Sequence, residues 1–528
     1  MHKTGTGEAM WNVVRRALAK FSKNASVPFC PAYNFTRFSS EAVTLPPRRV
    51  AHTISMASDG LSRREWMANV PLIGAAAAQT GAASKPNIIV IISDQFRGDC
   101  IGAMGLNPMG LTPNLDQMAA EGVLFRSAFC NQPVCAPARA SMFTGQYPSK
   151  HEVWKNGLGL RPDAVTLATT LHQAGYSTNY IGKWHLMPAE GLTAEQRRGW
   201  VQPQYRGGFS DLWEAANELE FTSHAYEGAL YDNDGKPITF SGQYRTDFMT
   251  DRAKRFLRSA KGPFFITLSY LEVHHQNDSD TFDPPKEFAH RYPNPFIPPD
   301  LRPLPGSWPS QLPDYLACVA KMDETVGEIR KTLRETGLDK NTIVVFLSDH
   351  GCHFKTRNTE YKRSPHDSSI HIPLVIAGPG FNRSMQISEL VSQVDLMPTL
   401  LHAAGVAIPA SVQGQSVLPL LDRKTDTWRN EVYFEMSEFV TGRGLRTPQY
   451  TYAAAAPKMA GWKPVPSADR YVEYAHYDLY ADPFQHVNLA GRATHKAVAE
   501  QLRGRLLARI REASGAVPDI DPSWFPYP

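Results

Sequence analysis

The sequence predicts an α/β fold: a large, mostly parallel central sheet flanked by helices, followed by a smaller C-terminal α+β domain. Two observations predict it. Four short, nearly unbroken apolar runs alternate with segments of helical period, the pattern of strands buried on both faces. After Leu421-Asp422-Arg423-Lys424 the pattern changes to short strand-like segments and one helix.

The first run, Asn87 to Ser93, carries Ile88, Ile89, Val90, Ile91 and Ile92 and ends in Ser93-Asp94-Gln95. Phe264 to Tyr270 ends in Leu271-Glu272-Val273-His274-His275, and Thr342 to Leu347 ends in Ser348-Asp349-His350-Gly351. Pro373 to Ala377 ends in Gly378-Pro379-Gly380. Helical patterns cover Thr166 to Ala174, Asp247 to Leu257 and Tyr315 to Glu335. Three of the four runs end in Asp, His or both. In open α/β sheets ligands bind outside the carboxyl ends of the strands, so this convergence marks a site. The Pro-rich stretch Asn277 to Leu312 reads as a long loop over that site. Beyond residue 430, Glu431 to Glu435, Tyr450 to Ala453 and Tyr471 to Tyr480 read as antiparallel strands, and His495 to Ala513 as a helix. The expected organisation is an extension over 1–84, a catalytic domain over 85–429 and an α+β subdomain over 430–528.

A chain of 528 residues with net charge +4 invites a nucleic-acid reading, but the distribution argues against one. Residues 1–84 hold 10 Lys and Arg against 4 Asp and Glu; the remainder holds 45 against 47. The body is close to neutral, without the basic excess that phosphate backbones need. Six cysteines, Cys30, Cys100, Cys130, Cys135, Cys318 and Cys352, form no CxxC pair and no zinc pattern.

The basic excess sits in a targeting segment. Ser62-Arg63-Arg64-Glu65-Trp66-Met67 precedes a weakly apolar stretch from Val70 to Ala78, then small residues at Ala82, Ala83 and Ser84. This order resembles a twin-arginine export signal, which implies a bacterial periplasmic or extracellular protein. The apolar part is too short for a transmembrane segment. Met56 stands seven residues ahead of Arg63 and is the expected translation start; a transit peptide over Met10 to Ser40 is the alternative.

The chemistry begins at Cys135-Ala136-Pro137-Ala138-Arg139. Pro137 suits a first helical position, which puts Cys135 at a helix N-terminus, where backbone N–H groups favour an anion. Arg139 shares its face. A thiol there is either a low-pKa nucleophile or an ordinary buried cysteine.

Cys-x-Pro-x-Arg is also the sequence that sulfatase-maturing enzymes read when they oxidise the cysteine to formylglycine (3-oxoalanine). From Pro86 to about Ala490 the chain resembles the type I, formylglycine-dependent sulfatases of the alkaline-phosphatase-like superfamily. Thr144-Gly145-Gln146-Tyr147-Pro148 continues the signature, with His151 beyond it. Gly175-Tyr176-Ser177-Thr178 and Gly182-Lys183-Trp184-His185-Leu186 match the family's second signature. Ser348 to Gly351 matches the metal strand, and Lys362 to Ile370 the segment with the distal lysine. Tyr477-Asp478-Leu479-Tyr480 with Asp482-Pro483 resembles the C-terminal landmark.

The resemblance implies a sulfuric ester hydrolase whose nucleophile is a hydrated formylglycine made from Cys135. One hydroxyl attacks sulfur; the other loses its proton as sulfate is expelled. It implies one divalent metal held by Asp94, Gln95, Cys135, Asp349 and His350. The family often has a second Asp and an Asn where this chain has Gln95 and His350. Ca²⁺ comes first; a nitrogen ligand suits Mn²⁺ better. Arg139 is expected to orient the hydroxyl, Lys183 and Lys362 to bind sulfate oxygens, and His185 to take the proton. Lys183 and His185, two apart on an extended segment, are expected to face the pocket together. His274 is expected to protonate the leaving oxygen, with His275 as rival, because the family's Pro before this histidine is Val273 here. The expected partners are a sulfated small molecule or carbohydrate and a formylglycine-generating maturation enzyme, with no nucleic acid. Two other readings stay open: a phosphonate monoester or phosphodiester hydrolase of the same superfamily, and a non-catalytic binder of sulfated polymers.

Overall fold

The computed structural model describes residues 85–458 and 463–522. The extension over 1–84, with its twin-arginine-type signal, lies outside the described residues. Among the described residues no helix is long and apolar enough to cross a membrane.

At the centre of an 11-stranded sheet lies Asn87–Ser93, flanked by Thr342–Ser348 and Phe264–Tyr270. Ser177–Lys183 and Trp213–Ala216 follow on the Phe264–Tyr270 side. These five strands run parallel. Every residue of Asn87–Ser93 is buried. Ile88, Val90 and Ile92 face one core with the helices Cys135–Thr144, Leu167–Gln173 and Leu396–Ala403. Ile89 and Ile91 face the other, with Pro113–Glu121, Arg245–Ser259 and Trp308–Thr336. Each such side chain contributes about 1.5–3 kcal/mol by leaving water, which is why the run is apolar without alternation.

The expected fold class is observed, with one adjustment: the flanks make the sheet mixed. Leu374–Ala377 pairs antiparallel with Thr342–Ser348, and Glu227–Tyr231 antiparallel with Trp213–Ala216. The apolar run at 373–377 therefore ends, at Gly378-Pro379-Gly380, on the edge opposite to the other three.

Five strands form the smaller C-terminal sheet: Val432–Met436, Gly442–Arg446, Tyr450–Ala455, Arg470–Asp478 and Asp519–Asp521. Its faces alternate. Val432, Phe434 and Met436 join the core that packs the Cys135–Thr144 helix, whereas Tyr433 packs with Leu502 and Leu506 of the helix Lys496–Ser514. The strand Gly442–Arg446 was not expected, because glycine weakens a strand pattern. Gly444 is required by close packing: a Cβ there would stand 2.1 Å from Phe434 Cζ.

Candidate active site

Four parallel strands deliver their C-terminal residues to one edge of the sheet. Asn87–Ser93 brings Asp94 and Gln95, Thr342–Ser348 brings Asp349 and His350, Phe264–Tyr270 leads to His274, and Ser177–Lys183 ends on Lys183 itself. Gly182 lets this last strand close up. A Cβ there would lie 2.1 Å from the Ser269 carbonyl oxygen, and its φ is +113°. The helix Cys135–Thr144 faces the same edge with Cys135 as its first residue. Pro137 is thus third in the helix rather than first.

Cys135 Sγ is the point of convergence. Lys362 Nζ lies 3.0 Å from it, His350 Nε2 3.3 Å, Asp94 Oδ1 3.7 Å and Lys183 Nζ 3.9 Å. Burial alone would push the thiol up; Lys183, Lys362 and His350 together hold it well below the usual range. Electrostatics at this position therefore favour an anion.

Arg139 organises the two buried aspartates. Its Nη2 donates to Asp94 Oδ2 and its Nε to Asp349 Oδ2, both at 3.1 Å. Its Nη1 donates to Ser269 Oγ at 2.7 Å and to the Lys183 carbonyl at 3.1 Å. Burial works against the Asp94 charge, as does Cys135; Lys183, His274 and Arg139 outweigh both and keep its carboxyl below the ordinary range. Burial, then the negative charge of Asp94, pushes the Asp349 carboxyl up.

The donor set fits a divalent cation. One ligand atom from each of Asp94, Cys135, Asp349 and His350 lies within 4.8 Å of all the others, and all four residues are buried. His350 Nδ1 is 3.0 Å from the Gly351 carbonyl, which can only accept. A neutral ring therefore carries its proton on Nδ1 and turns the Nε2 lone pair to the cluster. Gln95 stands at φ +67° and its buried Oε1 has no protein partner. A buried amide oxygen without a donor is costly unless something cationic meets it.

His274 and His275 separate by geometry. His274 Nδ1 lies 2.6 Å from the His275 carbonyl, which points Nε2 at Lys362 Nζ, 3.3 Å away. His275 is stacked between the rings of His274 and Tyr361, at centroid distances of 4.3 and 4.1 Å. Burial, then the charges of His274 and Lys362, hold its pKa far below the ordinary value, so the ring stays neutral.

Residues 86–406 match the model of the family described as Sulfatase, and residues 359–512 the model described as N-sulphoglucosamine sulphohydrolase, C-terminal. The chain belongs to the sulfatase family. It is 30% identical over 453 residues to an ulvan-active sulfatase of Formosa agariphila, covering 81% of this chain and 82% of that one. It is 28% identical over 498 residues to an endo-4-O-sulfatase of Bacteroides thetaiotaomicron, covering 84% and 94%. A Bacteroides thetaiotaomicron protein, solved in work on the metabolism of multiple glycosaminoglycans, superposes with a TM-score of 0.71 at 25% identity over 81% and 97%. A phosphonate monoester hydrolase of Agrobacterium radiobacter shares the fold, with a TM-score of 0.61 at 22% identity over 81% and 96%.

This sulfatase brings all the expected site residues to one place: Asp94, Gln95, Cys135, Arg139, Lys183, His185, His274, Asp349, His350 and Lys362. Lys183 and His185 both face the pocket, though not as two steps of one strand. The strand ends at Lys183, and His185 turns inward at φ +61°. The Asn277–Leu312 stretch is without strand or helix until Trp308, apart from one bridge at Gln276–Thr281. Its Asp280 accepts from Tyr361 Oη at 2.9 Å, which ties it to the ring that lies against His275.

One site residue escaped sequence reading. Glu220 is buried, with Oε1 3.0 Å from Lys183 Nζ and 3.9 Å from His185 Nδ1. No motif marks it. The usable signal was an acid just after a strand, but the Trp213–Ala216 strand is only four residues long.

Proposed function

We propose that this sulfatase hydrolyses sulfate esters of carbohydrates, using formylglycine at position 135 and one divalent cation. The observation that carries the reading is the Cys135 side chain, buried at a helix N-terminus between Lys183 and Lys362 and beside Asp94 and His350. Asp94, Asp349, Gln95, His350 and the side chain at 135 would hold the cation. Ca²⁺ is first choice for its hard oxygen donors, and Mn²⁺ second for the imidazole. Bound there, the ion supplies Lewis-acid polarisation of a sulfate oxygen. Oxidation of Cys135 to the aldehyde by the maturation enzyme, followed by addition of water, would supply a hydroxyl where a thiol would trap the product.

The chain's own residues do the rest. Arg139 fixes both aspartates and so fixes the metal side. Lys183 and Lys362, on two sides of position 135, neutralise the sulfuryl oxygens. His185, next to Glu220, takes a proton from position 135. His274 presents Nε2 to the leaving oxygen and donates a proton to it. The named activities of the ulvan-active sulfatase and the endo-4-O-sulfatase support a sulfated carbohydrate as substrate. We retain the division into catalytic 85–429 and C-terminal 430–528 segments, export by the twin-arginine-type segment, and dependence on a maturation enzyme.

The test is mass spectrometry of the peptide around position 135, paired with turnover of aryl sulfate and aryl phosphonate esters. Aldehyde or hydrate at 135 with preference for the sulfate is expected. Preference for the phosphonate would transfer the protein to the other hydrolase class, and an unmodified thiol without turnover would make it a binder.

A further inference from the structure

The reaction described above gives no task to the negative charge of Glu220. Its carboxylate lies behind Lys183, which is itself 3.9 Å from Cys135 Sγ, so only one ammonium group separates it from the reacting position. Gln276 Nε2 donates to the Glu220 backbone carbonyl at 2.8 Å and holds the short helix Leu219–Thr222 in place. Glu220 Oε2 is buried without a hydrogen-bond partner. The neighbouring acid Glu218 is engaged elsewhere, with Arg197 3.2 Å away.

The charges on the non-histidine side chains around position 135 can be counted. Arg139, Lys183 and Lys362 are cationic; Asp94, Asp349 and Glu220 are anionic, so these six side chains cancel. Without Glu220 they would leave one positive charge. A divalent ion adds the same amount in either case. The ligands of a sulfatase differ in this same quantity. A sulfate monoester carries one negative charge, inorganic sulfate two, and an aryl phosphate two above its second pKa of about 6.

We propose that Glu220 sets the charge preference of the site: it favours the singly charged ester, disfavours dianions, and so promotes release of product sulfate. The inference rests on the sulfatase reading above. A fixed unit charge about 7 Å away, at an effective dielectric of about 20, is worth on the order of ten- to a hundredfold in affinity for each unit of ligand charge. A role confined to propping up Lys183 makes a different prediction, because loss of the prop would weaken every anion alike.

The experiment uses the full mature enzyme, with oxidation at position 135 matched by mass spectrometry. It compares wild type with E220Q and E220S, two neutral replacements, and with E220D, which keeps the charge. The kcat/KM for an aryl sulfate and for the matching aryl phosphate is measured at pH 8, and inorganic sulfate binding is measured by titration calorimetry. In the neutral variants the phosphate-to-sulfate-ester ratio is expected to rise, and the Kd for inorganic sulfate to fall, each by about tenfold or more. E220D should stay near wild type in both. Parallel losses on both esters, with sulfate binding unchanged or weaker, would overturn the proposal. If wild type turns over neither ester, the sulfatase reading has failed, and the calorimetric comparison decides the role of Glu220 on its own.

Discussion

Lys362 Nζ lies 3.0 Å from Cys135 Sγ although 227 residues separate them in the chain. The same ammonium donates to His350 Nε2 at 2.8 Å and lies 3.3 Å from His274 Nε2. One cation thus touches the nucleophile position, a metal-side histidine and the proposed acid. Replacing it removes charge at the point where negative charge gathers. Lys362→Ala is expected to lower kcat by about 10²–10³ on an aryl sulfate. Lys362→Arg, which keeps the charge and loses the point geometry, should fall between it and wild type. Steady-state kinetics check this; an alanine variant within threefold of wild type would remove Lys362 from the reaction.

Arg139 joins two carboxylates that are both fully buried. Arg139→Ala leaves Asp94 and Asp349 facing each other without it. The expected loss is about 3–5 kcal/mol of stability, read by chemical denaturation. Arg139→Lys cannot bridge both carboxylates with a planar fork and should recover only part.

Cation binding should be visible in stability as well as in activity. Chelation is expected to lower Tm, and return of Ca²⁺ or Mn²⁺ to raise it, by about 2.7 kcal/mol of stability at a hundredfold excess over Kd. Asp94→Asn should abolish the response. A Tm that ignores both chelator and ion would exclude the Asp94, Asp349 and His350 cluster as a metal site.

Two buried histidines outside the charged cluster, His151 and His353, make stability fall in acid; His353 Nε2 lies 3.0 Å from the Lys362 carbonyl. Burial pushes His151 and His353 down to about 3. In the unfolded chain they protonate near 6.5, so their stabilisation is present above that pH and is lost as pH falls toward 3. At pH 5.5 each has forfeited about 1.4 kcal/mol. The stability gap between wild type and His353→Gln, or His151→Gln, should shrink by about that much between pH 7.5 and 5.5. A gap independent of pH would contradict it.

The C-terminal sheet reaches the segment that carries Lys362. Tyr477 Oη lies 3.0 Å from His366 Nε2, His366 Nδ1 lies 3.0 Å from Ser364 Oγ, and Arg446 Nη2 donates to Asp367 at 2.9 Å. Tyr477→Phe strands the buried His366 nitrogen and is expected to cost about 1–3 kcal/mol, measured by denaturation. No change would mean that this ring pair contributes packing alone.

Some of the fold was legible because the signal is local. A strand covered on both faces has to be apolar at every position, so Ile88 to Ile92 announces itself without reference to any partner. Gly442–Arg446 did not, since Gly444 answers to Phe434 and Gly442 to Met436 across the sheet and not to their own neighbours in the chain. The direction of Leu374–Ala377 was equally silent, because an apolar run reads the same whether its neighbour runs parallel or antiparallel.

The site divides in the same way. The sequence by itself determined the chemical types and their grouping: acids and histidines at strand ends, Cys135 ahead of a helix, and Lys183, His185 and Lys362 in recognisable segments. Only the tertiary structure decided which histidine faces Lys362, that Gln95 turns a buried oxygen inward, and that Glu220 stands behind Lys183. Those outcomes depend on distances between segments far apart in the chain. Strand pairing and packing set such distances, and the residues that set them need not adjoin the residues they bring together.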